Sequence, residues 1–307
     1  MDWHGKPYYS LDSYLKNTYG RKIYKVSLDG GMTCPNRDGT LDHRGCIFCS
    51  AGGSGDFAGD RHMDITGQIN SQIEMIRQKS TARDFIAYFQ AYTNTYAPVE
   101  YLRDIYTQAI SHPDIVILDI ATRPDCLQEG VLDLLEEINQ LKPVWVELGL
   151  QTIHPATATY IRRGYDLSCF EEAVKKLHSR GIPVIVHTIL GLPGENANDV
   201  LSTIQYLNTL PIFGIKLQLL HVLRGTDLAL DYEKGAFQTL EMEEYLDLVI
   251  SCLQHLSPDI VVHRVTGDGP KSLLISPLWS GNKRGVLNRL HQKMAQGKCR
   301  QGQLFMI

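Results

Sequence analysis

No run of apolar residues in this 307-residue chain approaches the roughly eighteen needed to cross a bilayer. The opening Met1-Asp2-Trp3-His4-Gly5 carries an early acid and lacks the apolar core of a secretion signal, so a cytoplasmic location with no membrane partner is expected. An excess of basic charge is missing too. Lys and Arg number 30 against 34 Asp and Glu, and the net charge of −4 excludes a basic coat spread over the whole surface. Apolar residues make up 43% and charged residues 21%, which excludes a disordered or fibrous chain. No Pro/Ser linker, internal repeat or low-complexity tract interrupts the sequence. One absence is local. No Asp or Glu follows Asp268, while the last 39 residues hold Lys271, Lys283, Arg284, Arg289, Lys293, Lys298 and Arg300. That segment carries +7 and the rest of the chain −11.

Seven cysteines, an odd number in a reducing compartment, do not read as a disulfide framework. Cys126, Cys169, Cys252 and Cys299 stand alone and read as small buried apolar side chains. Cys34, Cys46 and Cys49 crowd together, with eleven residues in the first gap and two in the second. They follow a strand at Ile23–Leu28, in a loop with Gly39, Gly45 and the run Gly52-Gly53-Ser54-Gly55. Three thiolates on flexible backbone can hold three corners of a [4Fe-4S] cluster and leave one iron open. They can equally hold structural zinc, with His43 as the fourth ligand.

Beyond this loop the chain alternates. Helical periodicity over 64–79 is followed by a strand at Phe85–Phe89 and a helix over 99–110. Strands at 115–120, 144–148, 182–190 and 215–219 alternate with helices over 131–141, 169–179 and 195–207. Near-continuous apolar strands between amphipathic helices predict an α/β fold with a parallel sheet, either doubly wound or a full or partial barrel. Ligands then collect at the carboxyl ends of the strands, where the polar and Gly-rich stretches lie. From about Glu241 a helix, a strand at 260–263 and a basic helix over 282–296 are expected.

The segment Cys46-Ile47-Phe48-Cys49-Ser50-Ala51-Gly52-Gly53 resembles the cluster loop of radical S-adenosylmethionine (SAM) enzymes. Within them it is most similar to the branch of the elongator catalytic subunit, which modifies wobble uridines of tRNA. The usual spacing puts three residues in the first gap, and a widened gap is typical of this branch. Four later blocks agree in order: Ala121-Thr122-Arg123-Pro124-Asp125, Glu147-Leu148-Gly149-Leu150-Gln151-Thr152, His187 to Glu195, and Leu223-Arg224-Gly225-Thr226. Ala121 replaces an acid of the family pattern. The family's Gly-Gly-Glu segment is replaced by Gln90-Ala91-Tyr92-Thr93, so only its position transfers.

The resemblance implies a partial (β/α)6 TIM-type barrel over residues 23–240, with an N-terminal leader (1–22) and a small C-terminal α+β extension (241–307). It implies Cys34, Cys46 and Cys49 as ligands of a [4Fe-4S] cluster. SAM contacts are implied at Gln90, Tyr92, Thr93, Arg123, Gln151, Arg163 and His187, Arg163 pairing with the SAM carboxylate. From the residues alone, Arg123 can instead pair with Asp125, and His187 can be a satisfied core histidine. No second cysteine triad is present, which disfavours two-cluster methylthiotransferases.

A short, single-cluster relative is left. The resemblance implies conversion of a tRNA wobble 5-carboxymethylaminomethyl-(2-thio)uridine to its 5-aminomethyl form. A reducing donor such as a flavodoxin or ferredoxin, and a partner tRNA methyltransferase, go with that role. The basic tail fits a phosphate-bearing substrate through Lys283, Arg284, Arg289 and Lys293, or packs as a solvated helix on the acidic body. Two rival readings stand beside it: a radical SAM enzyme of a small metabolite, of coproporphyrinogen type, and a zinc-stapled nucleic-acid-binding protein without catalysis.

Overall fold

The computed structural model describes residues 3–53, 55–267 and 269–306. Six strands follow one another in register: β1 (Tyr24–Leu28), β2 (Phe85–Phe89), β3 (Ile115–Thr122), β4 (Val144–Gln151), β5 (Val184–Leu190) and β6 (Gly214–Leu219). The two-residue β7 (Val222–Leu223) leaves the sheet, and β8 (Val261–Arg264) returns beside β6 as its seventh strand. All six pairings are parallel, and β1 and β8 lie at opposite edges. The sheet is therefore an open half-barrel. A short β9 (Leu274–Ser276) pairs antiparallel with β7 over its mouth.

Parallel neighbours need crossovers, and helices supply them. After α1 (Leu11–Tyr19) come α2 (Ile65–Arg77), α3 (Val99–Ser111), α4 (Glu129–Asn139), α5 (Pro155–Tyr160), α6 (Leu167–Ser179), α7 (Ala197–Leu207), α8 (Asp227–Glu233), α9 (Met242–His255) and α10 (Lys283–Gln296). Helix α2 shows why these residues are helical. The Asp64 carboxylate accepts from the Gly67 N–H at 2.7 Å, and Ile65, Ile69 and Ile73 form its buried face. Its polar side is used as well. The side-chain amides of Gln68 and Gln72 bond both backbone groups of Asp29 and of Ser27, running along the outer edge of β1 like a further strand.

Alternation along the strands sorts the interior. One set of side chains, including Val26, Phe89, Val146 and Val186, packs under the helices. The opposite set lines the lumen. At its amino-terminal end Ile86, Ile117, Trp145 and Ile185 meet Leu15 and Tyr14 of α1, so the segment expected as a plain leader plugs the barrel. The C-terminal segment also packs against the barrel. β8 completes the sheet, α10 packs on α9 through buried Val286, Leu290 and Met294, and the backbone N–H of Tyr9 donates to Gln301 at 2.8 Å. Among the described residues no helix is long and apolar enough to cross a membrane.

Candidate active site

A cavity of about 1050 Å³ opens at the carboxyl ends of the strands. Cys34, Cys46 and Cys49 all line it. They sit in an irregular loop, so side chains rather than a sheet hold the backbone in place. Arg37 donates to the carbonyls of Cys49 and Ser50 at 2.9 and 2.6 Å. Asn36 Nδ2 donates to the Arg162 carbonyl at 2.8 Å and reaches Cys46 Sγ at 3.4 Å. Burial pushes the Cys46 thiol up to about 12. His43, the alternative fourth zinc ligand, is exposed and does not line the cavity. Among the described residues no three His, Cys, Asp or Glu side chains are gathered as for a metal ion, so the thiols share one cavity without forming a closed set.

The segment after β2 docks on this loop. Gln90, Tyr92 and Thr93 line the cavity, and Tyr92 takes a left-handed φ of 60°. Its N–H donates to the Gly53 carbonyl at 2.8 Å and its hydroxyl to the Ala51 carbonyl at 2.6 Å. A Cβ on Gly53 would stand 2.2 Å from the Tyr92 ring, so only glycine allows this approach.

Gln151 ends β4 at φ 66°, where the register with β5 slips between Gly149 and Gln151. Its Oε1 is buried with no hydrogen-bond partner among the described residues, an acceptor at the cavity wall left for a ligand.

Two expected SAM contacts are committed elsewhere. Arg163 donates to the carbonyls of Leu150, Thr152 and Tyr165 at 2.7–3.1 Å, which leaves one Nη2 hydrogen for the cavity. Arg123 forms a two-pronged pair with Asp125 at 2.9 and 2.8 Å and donates to the Arg163 carbonyl, so the ion-pair alternative is the one present. Both guanidinium groups stand 4.9 Å from the Tyr165 ring centre. They build the wall more than they face a ligand.

Below these residues lies a buried polar layer. Glu147 Oε2 accepts from the Tyr88 hydroxyl at 2.7 Å, from the Lys216 ammonium and from His187 Nε2 at 2.6 Å, and Oε1 accepts from Lys25 at 2.8 Å. Lys25 also meets Asp119. Against the opposing effect of burial, Lys216, Lys25 and His187 hold Glu147 well below the usual carboxylate range, while burial and then Glu147 raise Asp119. Burial and then Lys216 pull His187 down to about 4, so it is a neutral, satisfied core histidine whose ring forms part of the floor. Polar residues at alternate positions of otherwise apolar strands were the sequence signal for this layer.

The far lip comes from the C-terminal region: His221, Arg264, Lys271 and Lys283 line the cavity. Lys283 and Arg284 are exposed at the start of α10. Arg289 and Lys293 do not line the cavity. Arg289 chelates Glu243 at 2.7 and 3.1 Å, and Lys293 joins Glu243 and Asp247, so these two pack the helix on the acidic body.

Comparisons with known proteins agree with this geometry. Residues 43–207 match the radical SAM superfamily, and residues 212–296 match its C-terminal domain. The chain is 45% identical to YtqA of Bacillus subtilis over 98% of its own length and 93% of that protein. It is 25% identical to a tRNA uridine(34) acetyltransferase of Methanocaldococcus jannaschii, over 89% of this chain and 57% of the relative. Elp3 of Methanocaldococcus infernus superposes with a TM-score of 0.69 at 17% identity, covering 91% of this chain and 64% of that one. The chain belongs to the radical SAM superfamily, whose members bind a [4Fe-4S] cluster and SAM.

Proposed function

We propose that this enzyme acts on a tRNA wobble uridine, converting the 5-carboxymethylaminomethyl-(2-thio) side chain to its 5-aminomethyl form. One juxtaposition carries the reading. The cysteine loop and the basic pair Lys271 and Lys283 line one cavity, in a chain similar over 89% of its length to an enzyme named for uridine 34 of tRNA.

The residues fit the family's cofactors. Three thiols with an open side suit a cluster that leaves one iron unligated, and the orphaned Gln151 Oε1 suits a ribose or amine donor. Cys34, Cys46 and Cys49 would hold the cluster, with Arg37 and Asn36 fixing the loop. Gln90, Tyr92 and Thr93 would receive the SAM amine, and Gln151 the ribose, with the last Arg163 hydrogen turned to the carboxylate. When bound, these groups would supply one-electron cleavage of SAM and abstraction of a hydrogen from the glycine-like methylene. With SAM as the net two-electron oxidant the N–CH2 unit becomes an imine, and one water then splits it into the aminomethyl group and glyoxylate. The protein orients that methylene and shields the radical step from bulk water. A flavodoxin or ferredoxin delivers the electron, and a tRNA methyltransferase takes the product.

Mass spectrometry of tRNA nucleosides from a deletion strain tests this. Loss of the aminomethyl form with gain of its carboxymethylaminomethyl precursor is expected. An unchanged wobble-uridine profile would overturn the proposal and leave a small-metabolite substrate.

A further inference from the structure

At the edge of the sheet opposite the cysteine loop, Arg264 ends β8, aligned with Lys216 of β6. It is half-buried and lines the cavity. Alone among the arginines of the cavity wall, it makes no hydrogen bond or ion pair with any described residue: Arg37, Arg123 and Arg163 are all engaged. None of the neighbouring carboxylates pairs with it. Both oxygens of Glu147 are occupied by Lys25, Lys216, Tyr88 and His187, and Asp119 holds Lys25 through Oδ2 while its buried Oδ1 has no partner among the described residues. A guanidinium withdrawn from water without an anion is costly, and its fork matches a carboxylate in two parallel hydrogen bonds. The same crowding of positive charge shows nearby. Burial, and after it Lys25 and Arg264, hold the Lys216 ammonium down to about 7 against the pull of Glu147.

We infer that Arg264 is the carboxylate-binding residue of the substrate subsite, gripping the terminal carboxylate of an N-substituted glycine. It would thereby hold the adjacent methylene between the far edge of the sheet and the cysteine loop. The inference rests on the reading above for the identity of the uridine, but not for the anion site itself. It also explains selectivity: an aminomethyl product has no carboxylate to hold and is released.

Two measurements on the cluster- and SAM-loaded protein test it. In the first, N-methylglycine and its neutral amide are compared by thermal shift. Stabilisation by the carboxylate and not by the amide is expected in the wild type, absent in Arg264→Gln and partly restored in Arg264→Lys. Equal responses of wild type and Arg264→Gln, or no carboxylate-dependent shift in the wild type, would overturn the site. In the second, turnover of tRNA carrying the carboxymethylaminomethyl group is measured. Arg264→Gln is expected to raise KM about 10- to 100-fold, the range of a lost charged hydrogen bond, with the smaller effect on kcat. A raised Kd for SAM with unchanged KM for tRNA would overturn the assignment. If the thermal shift behaves as expected and wild-type protein leaves this tRNA unconverted, the anion site stands and the wobble-uridine reading falls.

Discussion

Two layers of the same lumen are built from opposite chemistry, one dipeptide apart. Ile86, Ile117, Trp145 and Ile185 form the lower layer, and two residues further on the same four strands carry Tyr88, Asp119, Glu147 and His187. About 6.6 Å of strand separates a dry plug from a charged floor. The lower layer gains stability by burial. The upper one offsets its charges internally, centring four donors on Glu147 and pairing Lys25 with Asp119, whose Oδ1 alone of the four carboxylate oxygens has no partner among the described residues. A barrel can therefore place a reactive cavity directly on its hydrophobic base, provided the charges of the first polar layer are paired. Above it Arg264, which makes no hydrogen bond or ion pair with any described residue, and the unpartnered Gln151 Oε1 stand out as chemistry.

Substitutions in the two layers separate these roles. Glu147→Gln leaves Lys25 and Lys216 buried against Asp119 alone, and a loss of about 3–5 kcal/mol is expected by denaturant unfolding, with the cavity floor rearranged. Trp145→Ala is expected to cost a similar 3–5 kcal/mol through cavity formation, yet to leave SAM binding intact at low temperature. Equal damage to SAM binding by both would erase the distinction between plug and floor.

A smaller effect concerns pH. Burial depresses the pKa of His187 to about 4 and that of His263 well below its ordinary value. The folded state keeps both imidazoles neutral, whereas the unfolded chain takes up protons below about pH 6.5. The stability they contribute is thus whole above pH 6.5 and is lost as pH falls toward the lowered values. Neither ring nitrogen of His263 has a partner among the described residues, and the ring packs between Trp145 and Phe213. His263→Phe is expected to reduce the slope of stability against pH between 6.5 and 5 by up to about 1.4 kcal/mol per unit. An unchanged slope would mean that the lower layer is wetter than its packing implies.

The smallest effect is expected at the surface. Arg289→Ala and Lys293→Ala should shift the melting temperature slightly and leave tRNA affinity unchanged, while Lys271→Ala and Lys283→Ala weaken it with a shallower salt dependence. Filter binding at several salt concentrations reads this. Equal losses from all four would return the whole basic helix to the interface.

The strands were legible because strands buried on both faces read as unbroken apolar runs, and five-residue β2 was placed to the residue. Helix α1 was missed because its Tyr-rich, polar sequence buries only Ser13 and Leu15 against the barrel base. Short α5 and α8, and the β7–β9 ladder, carry too few residues for periodicity. Cysteine spacing marked the loop. What spacing could not show was where each arginine's hydrogens go. Arg163 is used up by backbone carbonyls, and backbone carbonyls leave no trace in composition. Lys25, Asp119, Glu147 and Lys216 were visible as breaks in apolar strands, but Lys25 and Glu147 lie 122 positions apart and meet only once the sheet has curled.

The glutamine amides along β1 have a consequence for how copies of this chain behave toward one another. An open half-barrel keeps a terminal strand whose outer N–H and C=O groups would accept a stranger's backbone and start a growing stack. Gln68 and Gln72 already occupy those groups at Ser27 and Asp29. Removing both amides should bare that edge and promote edge-to-edge association, read by sedimentation at high concentration against the unaltered chain.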